Sequence, residues 1–138
     1  MSRICITDAF AVTALGPDLD SLYQGLLQDR TGIGRVNRFD TEKYAGPYAA
    51  AIQALDSVPG PDRIFRLADM LTRQIGEMDP GTWLITASTK GGIDGLGKEG
   101  SNTESLPFSL SLAGLTDYLK KDTGLVRAMN ISAACASS

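Results

Sequence analysis

Residues 124–138, which read GLVRAMNISAACASS, decide how the rest of the chain is interpreted. The opening glycine is placed to end a preceding helix. The apolar and β-branched residues of 126–132 then predict a buried strand. The strand leads directly into a group of small residues around Cys135, a pattern that usually continues into a helix. A side chain at such a strand-to-helix corner is exposed and faces backbone N–H groups.

Cys135 is therefore the sharpest candidate for chemistry. The start of a helix stabilises a thiolate and lowers the pKa of a cysteine toward neutrality. The small neighbours allow a sharp turn and the close approach of a substrate. The alternative is a buried structural cysteine, a common fate for this residue type. Spacing alone leaves both interpretations open.

The segments before this strand predict a strand, a loop and a helix. Residues 82–87, TWLITA, are nearly free of charge and predict a buried strand. A glycine-rich loop is expected over 91–100. A helix is predicted from about 109 to 121, ending at Gly124. Its inward-facing side chains would be those of Leu110, Leu112, Leu115, Tyr118 and Leu119.

The first half of the chain carries two further helical patterns. Asp18 or Asp20 can cap a helix that ends at residues 31–34. Its leucines and tyrosine share one face: Leu19, Leu22, Tyr23, Leu26 and Leu27. A second helix is predicted over 63–78, stopped by the Asp-Pro-Gly sequence at 79–81. Residues 41–62 read as irregular apart from a short strand at 48–52.

Alternating apolar and β-branched residues at the N-terminus predict an opening strand. Ile4, Ile6, Val12 and Thr13 carry this pattern, and Cys5 within it is expected to be a small core residue without chemistry. Helices alternating with strands predict an α/β domain with a mixed or mainly parallel sheet.

Composition excludes several classes of function. The 138 residues include 13 basic and 16 acidic side chains, and this net charge of −3 argues against nucleic acid as the main partner. The chain has no histidine, which excludes a Ser-His or Cys-His pair and any imidazole metal ligand. Two cysteines are too few for a zinc cluster or a disulfide framework. We therefore expect no metal and no cofactor.

The sequence also carries no recognisable targeting or membrane signal. The N-terminus meets an acid after a few apolar residues, and no uncharged apolar stretch approaches the length that spans a bilayer. Free cysteines without an export signal are typical of a reducing compartment. We expect a cytoplasmic protein without a membrane partner.

Five segments in order resemble one enzyme family. Residues 131–138, ISAACASS, are similar to the nucleophile motif of the β-ketoacyl-acyl-carrier-protein synthases, which are decarboxylating condensing enzymes of the thiolase-like superfamily. The other similar segments are ICIT with AVTALG (4–16), LL, GI and RFD (26–40), TAST with GG (86–92), and GL (124–125). The resemblance implies that residues 1–138 are the N-terminal portion of a thiolase-like fold, a mixed sheet flanked by helices that is incomplete here.

The resemblance also implies a reaction. Cys135 would accept an acyl group from a carrier-protein or coenzyme A thioester. In the family, two downstream histidines and a lysine then support the loss of carbon dioxide from a malonyl thioester, which extends the acyl chain in fatty acid, polyketide or polyene synthesis. This chain ends before that half, so we expect it not to condense by itself.

Substrate-contacting residues follow from the same resemblance. Lys90 stands before Gly91, where fatty-acid-type members carry an apolar residue lining the acyl pocket. The run STKG at 88–91 resembles enzymes of aryl-polyene pathways, which suits a polyene substrate. The alternative for Lys90 is a solvated loop lysine. Leu106 and Phe108 lie near the segment that reaches a neighbouring subunit's pocket, and ordinary core packing is their alternative.

Partners are implied in the same way. Arg63 and Arg66 stand where the family docks the acidic acyl carrier protein, although a solvated helix face is the more common explanation for such charges. Strand 126–132 would pair with its twin in a homodimer. Arg127 and Ala128 replace the usual Gly-Pro ahead of the nucleophile strand.

Two alternative functions stay open. One is a non-catalytic short subunit that dimerises with a full-length synthase. The other is an acyltransferase of the thiolase superfamily that uses coenzyme A directly and does not decarboxylate its substrate.

Overall fold

The computed structural model describes residues 4–58, 62–92 and 111–133. Contacts divide the chain into a first unit, Met1–Ser57, and a second unit, Val58–Ser138. Both units combine helix and strand, so the chain is α/β as its sequence predicts. None of the helices in the described ranges is long and apolar enough to cross a membrane.

The first unit begins its regular structure with helix α1, Leu19–Leu27. The side chain of Asp18 accepts a hydrogen bond from the backbone N–H of Ser21 at 2.7 Å, which confirms Asp18 as the cap. The same hydrogen bond lowers the pKa of the Asp18 carboxyl. A Cβ at Gly16 would lie 2.2 Å from that of Ser21, so the tight approach of the preceding turn to α1 requires glycine.

A short antiparallel pair completes the first unit. Strands β1, Ile33–Arg35, and β2, Tyr48–Ala50, pair with Ile33 opposite Ala50. The strand predicted at 48–52 is confirmed over its first three residues. Its partner β1 is not predicted by the sequence, because Thr31–Gly34 resembles a helix terminator. A turn of 3-10 helix follows at Gln53–Leu55, and Leu55 is buried.

The prediction of an opening strand at the N-terminus is wrong. Residues 4–12 form no strand, and Ile4, Cys5 and Ile6 are all exposed. Cys5 is therefore not a core residue. The physical reason is that alternation places apolar side chains on one face but supplies no partner for the backbone, and a strand without a neighbour is not stable.

The second unit opens with helix α2, Arg63–Thr72, which is shorter than the predicted 63–78. The chain tightens after it, because the N–H groups of Gln74 and Ile75 bond three residues back to the carbonyls of Leu71 and Thr72. Gly76 then follows, a residue that disfavours helix. The predicted stop at 79–81 is a turn in which the N–H of Thr82 bonds to the carbonyl of Asp79 at 2.8 Å.

A parallel βαβ unit forms the centre of the second unit. Strands β3, Trp83–Ala87, and β4, Arg127–Ile131, pair in parallel register from Trp83↔Arg127 to Ala87↔Ile131. Helix α3, Leu112–Thr123, joins them and packs on both strands and on α2. It starts later than the predicted 109, because the Ser111 side chain caps it. It ends at Gly124, the predicted terminator, whose φ of 69° is left-handed.

The packing of this sheet corrects one expectation. Both strands are predicted to be buried, yet Trp83 and Ile85 of β3 are 56% and 57% exposed. In β4 every second residue is exposed, from Arg127 to Ile131, so only the inner side chains of the two strands face α3. The strands described form two separate two-stranded sheets instead of one mixed sheet flanked by helices. A parallel sheet is buried when layers cover both faces. Here the face carrying Trp83, Ile85 and Met129 is open.

Candidate functional site

The site-bearing segments of the second unit leave one edge of the β3–β4 sheet. The two strands are parallel and Ala87 lies opposite Ile131, so both strands end at the same edge. Residues 88–92 follow β3, and residues 132–133 follow β4. We call these two segments together the carboxyl edge. Ligands of parallel α/β sheets bind at this end of the strands.

Three sequence-predicted site residues lie outside the described residues. Cys135 follows β4 by four positions along the chain, whereas Leu106 and Phe108 belong to the segment between Gly92 and Ser111. Their roles stay predictions. The structure shows that the segment carrying Lys90 and the segment leading to Cys135 follow the ends of two neighbouring strands.

The segment after β3 is a tight turn. The backbone N–H of Gly91 donates to the Ser88 hydroxyl at 3.2 Å, and Gly91 has φ of 52°, a left-handed conformation that favours glycine. Gly92 is buried, whereas Lys90 is exposed. The left-handed backbone at position 91 therefore accounts for the glycine there. The Lys90 ammonium is solvated in this structure, and its predicted contact with substrate stays a prediction.

A polar cluster of two buried threonines and a half-buried asparagine lies directly behind the carboxyl edge. Thr86 of β3 and Thr116 of α3 are 6% and 7% exposed, and their hydroxyl oxygens are 2.6 Å apart. The Asn130 side chain of β4 donates from Nδ2 to the Thr86 hydroxyl at 2.9 Å. We call these three residues the Thr–Thr–Asn triad. It joins all three elements of the βαβ unit.

The hydroxyl protons of the triad fit two arrangements. Thr116 Oγ1 lies 3.4 Å from the carbonyl oxygen of Leu112, and Thr86 Oγ1 lies 3.5 Å from that of Met129. Thr86 accepts from Asn130 in both arrangements, and the proton between the two hydroxyls comes from either Thr86 or Thr116. In the described part of the chain, no buried side-chain nitrogen or oxygen is left without a partner.

Sequence reasoning missed the triad as a unit. The TAST motif includes Thr86, but the sequence identifies neither Thr116 nor Asn130 as a candidate site residue. A usable signal exists in the helical spacing, because Thr116 lies four residues after Leu112 and next to Leu115. A polar residue at such a position must find a partner when it is buried. The sequence does not say which strand supplies that partner.

A second polar group joins α2 and α3. The Tyr118 hydroxyl donates a short hydrogen bond to the Asp69 carboxylate, and the Tyr118 ring packs at 4.7 Å, centroid to centroid, from that of Phe65. The hydrogen bond to Asp69 raises the pKa of Tyr118 to about 12, with smaller contributions from burial and from the charges of Asp69 and Asp122. The phenol is therefore protonated at neutral pH. It can hold α2 against α3 but cannot act as a base there.

An open groove of about 550 Å³ lies beside this hydrogen bond. Its charged lining is mixed: Asp69 and Asp122 come from the two helices, and Arg73 and Glu77 follow α2. Within the described ranges, no group of three or more histidine, cysteine or acidic side chains could hold a metal ion.

The predicted carrier-docking arginines begin α2. Arg66 is exposed and Arg63 is half-buried. The charge of Arg66 partly offsets the rise in the pKa of Tyr118, which places its guanidinium within electrostatic reach of the Asp69–Tyr118 pair. Arg66 is thus presented to solvent. Docking of a partner at these two residues stays a prediction.

Comparison with known proteins gives one partial similarity. Over 61 residues the chain is 33% identical to 3-oxoacyl-[acyl-carrier-protein] synthase 2 of Synechocystis sp. (strain ATCC 27184 / PCC 6803 / Kazusa). The matched segment is 44% of this chain and 15% of that protein. No protein-family model matches the chain, and no solved structure matches it. The similarity indicates a distant relationship to a 3-oxoacyl-[acyl-carrier-protein] synthase.

Proposed function

We propose that this chain is the N-terminal part of a β-ketoacyl-acyl-carrier-protein synthase and that Cys135 accepts the acyl group from a thioester. The observation that carries the proposal is the 33% identity over 61 residues with a 3-oxoacyl-acyl-carrier-protein synthase. The parallel β3–β4 pair supports it, because the segments bearing Lys90 and Cys135 leave adjacent strand ends. The full activity, its substrates and its partners belong to this proposal.

The first half-reaction is acyl transfer. The Cys135 thiolate attacks the thioester carbonyl and forms a new carbon–sulfur bond. The carbon–sulfur bond to the carrier breaks, and the departing thiolate takes up a proton to leave as the free thiol. The enzyme then holds a covalent acyl-cysteine. No imidazole is needed to write this step.

The second half-reaction is condensation. A malonyl thioester loses carbon dioxide, and the resulting enolate attacks the acyl carbonyl of the acyl-cysteine. A carbon–carbon bond forms while the bond to the cysteine sulfur breaks, which restores the thiolate. Charge develops on the malonyl thioester oxygen, and removing one donor to such an oxyanion costs about 100–1000-fold in rate. The chain has no histidine to supply that donor, so we expect it to be acylated but not to condense.

The acyl-transfer step can be tested by intact-mass measurement. The chain carries an exposed second thiol at Cys5, so Cys5→Ser is the background for every variant. After incubation with decanoyl-acyl carrier protein, we expect one decanoyl group on the Cys5→Ser chain and none on Cys5→Ser/Cys135→Ala. An unmodified Cys5→Ser chain, or a decanoyl group that persists without Cys135, would contradict the proposal.

The donor preference separates the alternatives. A β-ketoacyl synthase of this type should take the decanoyl group from acyl carrier protein in preference to decanoyl-coenzyme A. Transfer from coenzyme A alone supports the coenzyme A-using acyltransferase. Absence of transfer from both donors, together with co-elution with a full-length synthase, supports the non-catalytic subunit.

Carrier docking and dimerisation extend the proposal to partners. Arg66 is exposed at the start of α2, where an acidic carrier protein can reach it. β4 pairs with β3 along one edge, and pairing of strand 126–132 with its twin would use the other edge. Both partners are proposed on the family resemblance.

A further inference from the structure

We propose that α2 presents Arg66 and Arg73, which we call the arginine pair, as a docking site for an acidic partner. The hydrogen bond from Tyr118 to Asp69 keeps the pair available, because it withholds the Asp69 carboxylate from both guanidinium groups. The partner we assign is the acidic acyl carrier protein, so the inference rests on the proposed function. Tyr118 and Asp69 are positioning residues, since they act on docking through the two arginines.

The arginine pair lies along one face of α2. Arg73 directly follows the helix with helical backbone angles, φ −62° and ψ −19°. Seven residues separate it from Arg66, which corresponds to two helical turns and about 10.5 Å along the axis. Residues at this spacing share a helix face. Both side chains are exposed, so one partner can contact the two charges together.

Helical spacing predicts that Asp69 neutralises this pair. Asp69 lies three residues after Arg66 and four residues before Arg73, so its side chain neighbours both of them on the helix surface. Opposite charges at these spacings ordinarily form ion pairs. Among the described residues, however, neither arginine forms an ion pair. The spacing therefore does not account for the position of the Asp69 carboxylate.

Helix α3 holds that carboxylate instead. The Tyr118 hydroxyl donates its short hydrogen bond to Asp69, and the Tyr118 ring packs on Phe65 with 4.7 Å between the ring centroids. Phe65 lies four residues before Asp69, so the two side chains share the side of α2 that meets α3. The carboxylate is thus bonded across the helix–helix contact and not along its own helix.

Both arginines lie near this hydrogen bond without taking part in it. The charge of Arg66 lowers the pKa of Tyr118, although the hydrogen bond to Asp69 raises it by more. Arg73 lines the same groove as Asp69 and Tyr118. Without the tyrosine hydroxyl, the Asp69 carboxylate would lose its partner on α3. It would then pair with a neighbouring guanidinium on its own helix.

Other carboxylates near the arginine pair provide the control. Asp62 lies four residues before Arg66, and Glu77 and Asp122 line the groove with Arg73. The Tyr118 hydroxyl has a single proton, and it donates that proton to Asp69. The charges of the other carboxylates therefore oppose an acidic partner to the same extent with or without this hydroxyl.

The test measures the affinity of the chain for acyl carrier protein by fluorescence anisotropy. Arg66→Ala and Arg73→Ala should each weaken binding, and unchanged affinity in either variant would overturn the proposed pair. Tyr118→Phe keeps the aromatic ring and removes only the hydroxyl. We expect it to weaken binding by about twofold to fivefold, the effect of one exposed ion pair. Unchanged affinity in Tyr118→Phe would overturn the role of the hydrogen bond.

Asp69→Asn separates the charge at this position from the hydrogen bond. The introduced amide oxygen can still accept from Tyr118 but has no charge to offer an arginine. In the Asp69→Asn background we therefore expect Tyr118→Phe to leave the affinity unchanged. A purely structural role of the bond predicts further weakening there, and that result would contradict the proposal. Asp62→Asn is the matched control, because in its background Tyr118→Phe should weaken binding as it does in the parent.

Arginine side-chain signals provide a readout that needs no partner. The Nε–H signals are measured by two-dimensional NMR and assigned with Arg66→Lys and Arg73→Lys. We expect the signal of at least one of the two to shift in Tyr118→Phe, and neither to shift when Tyr118→Phe is added to Asp69→Asn. If the parent chain does not bind acyl carrier protein, the assigned partner is wrong, while these signals still decide the role of Tyr118. Unshifted signals in Tyr118→Phe overturn that role by themselves.

Discussion

Helices α1 and α3 begin in the same way but reach different surroundings. Asp18 caps α1 and Ser111 caps α3, each accepting a hydrogen bond from an N–H three residues later. Both helices carry leucines at helical spacing. Yet Leu26 of α1 is 61% exposed, whereas Leu115 of α3 is 8% exposed.

The difference shows that local signals start a helix and packing decides what it buries. The buried apolar side chain of the first unit, in its described part, is Leu55. In the second unit the described core includes Ala68, Leu115 and Leu125, backed by the Thr–Thr–Asn triad. A nine-residue helix such as α1 is marginal without tertiary packing.

The largest expected effect comes from the leucines of the two helices. Leu115→Ala should lower the free energy of unfolding by about 2–5 kcal/mol, because it leaves a cavity under α3. Leu26→Ala should change it by less than about 0.5 kcal/mol, since this side chain is largely solvated. Urea unfolding followed by circular dichroism measures both. Equal losses would show that α1 is buried as deeply as α3.

A smaller effect on the free energy of unfolding is expected from substitutions of two glycines. Gly124→Ala should cost about 1–2 kcal/mol, because its backbone is left-handed and alanine is strained there. Gly34→Ala in β1 is the matched control, since a Cβ meets nothing within 4 Å at either position. The same urea experiment checks this pair. A neutral Gly124→Ala would mean that the end of α3 rearranges at no cost.

The smallest effect is a dependence of the melting temperature on pH, which arises from Tyr118. Its pKa is about 12 in the folded chain against 10.0 for an ordinary tyrosine, so its hydrogen bond to Asp69 stabilises fully below pH 10. That stability should be lost as the pH rises from 10 to 12. Tyr118→Phe should remove this alkaline loss, whereas Tyr23→Phe in α1 should leave it in place. Melting temperatures across this range measure it, and identical alkaline profiles for both variants would contradict the assignment.

Caps and strand ends could be predicted because they depend on near neighbours. Asp18 bonds three residues ahead, and Gly124 requires only its own φ. The charge-free run at 82–87 predicts β3, and the apolar and β-branched residues within 126–132 predict β4. Each of these features is local in the chain.

Features that join distant residues could not be predicted. Thr86 and Asn130 are 44 positions apart, and Tyr118 and Asp69 are 49 apart. β1 was missed because its three residues carry no strand pattern and depend on β2 for their partner. The predicted N-terminal strand is wrong for the converse reason, since its pattern finds no neighbour.

The sequence by itself determined where α1 starts, where α3 ends, and that a strand precedes Cys135, because capping chemistry and hydrophobic period act over a few residues. Only the tertiary structure decided that β3 and β4 run parallel with Ala87 opposite Ile131, and that the Asn130 side chain donates to Thr86 across this pair. The reason is physical: burial specifies which face of a strand points inward, whereas strand pairing and hydrogen bonds between elements depend on partners that are far apart in the chain.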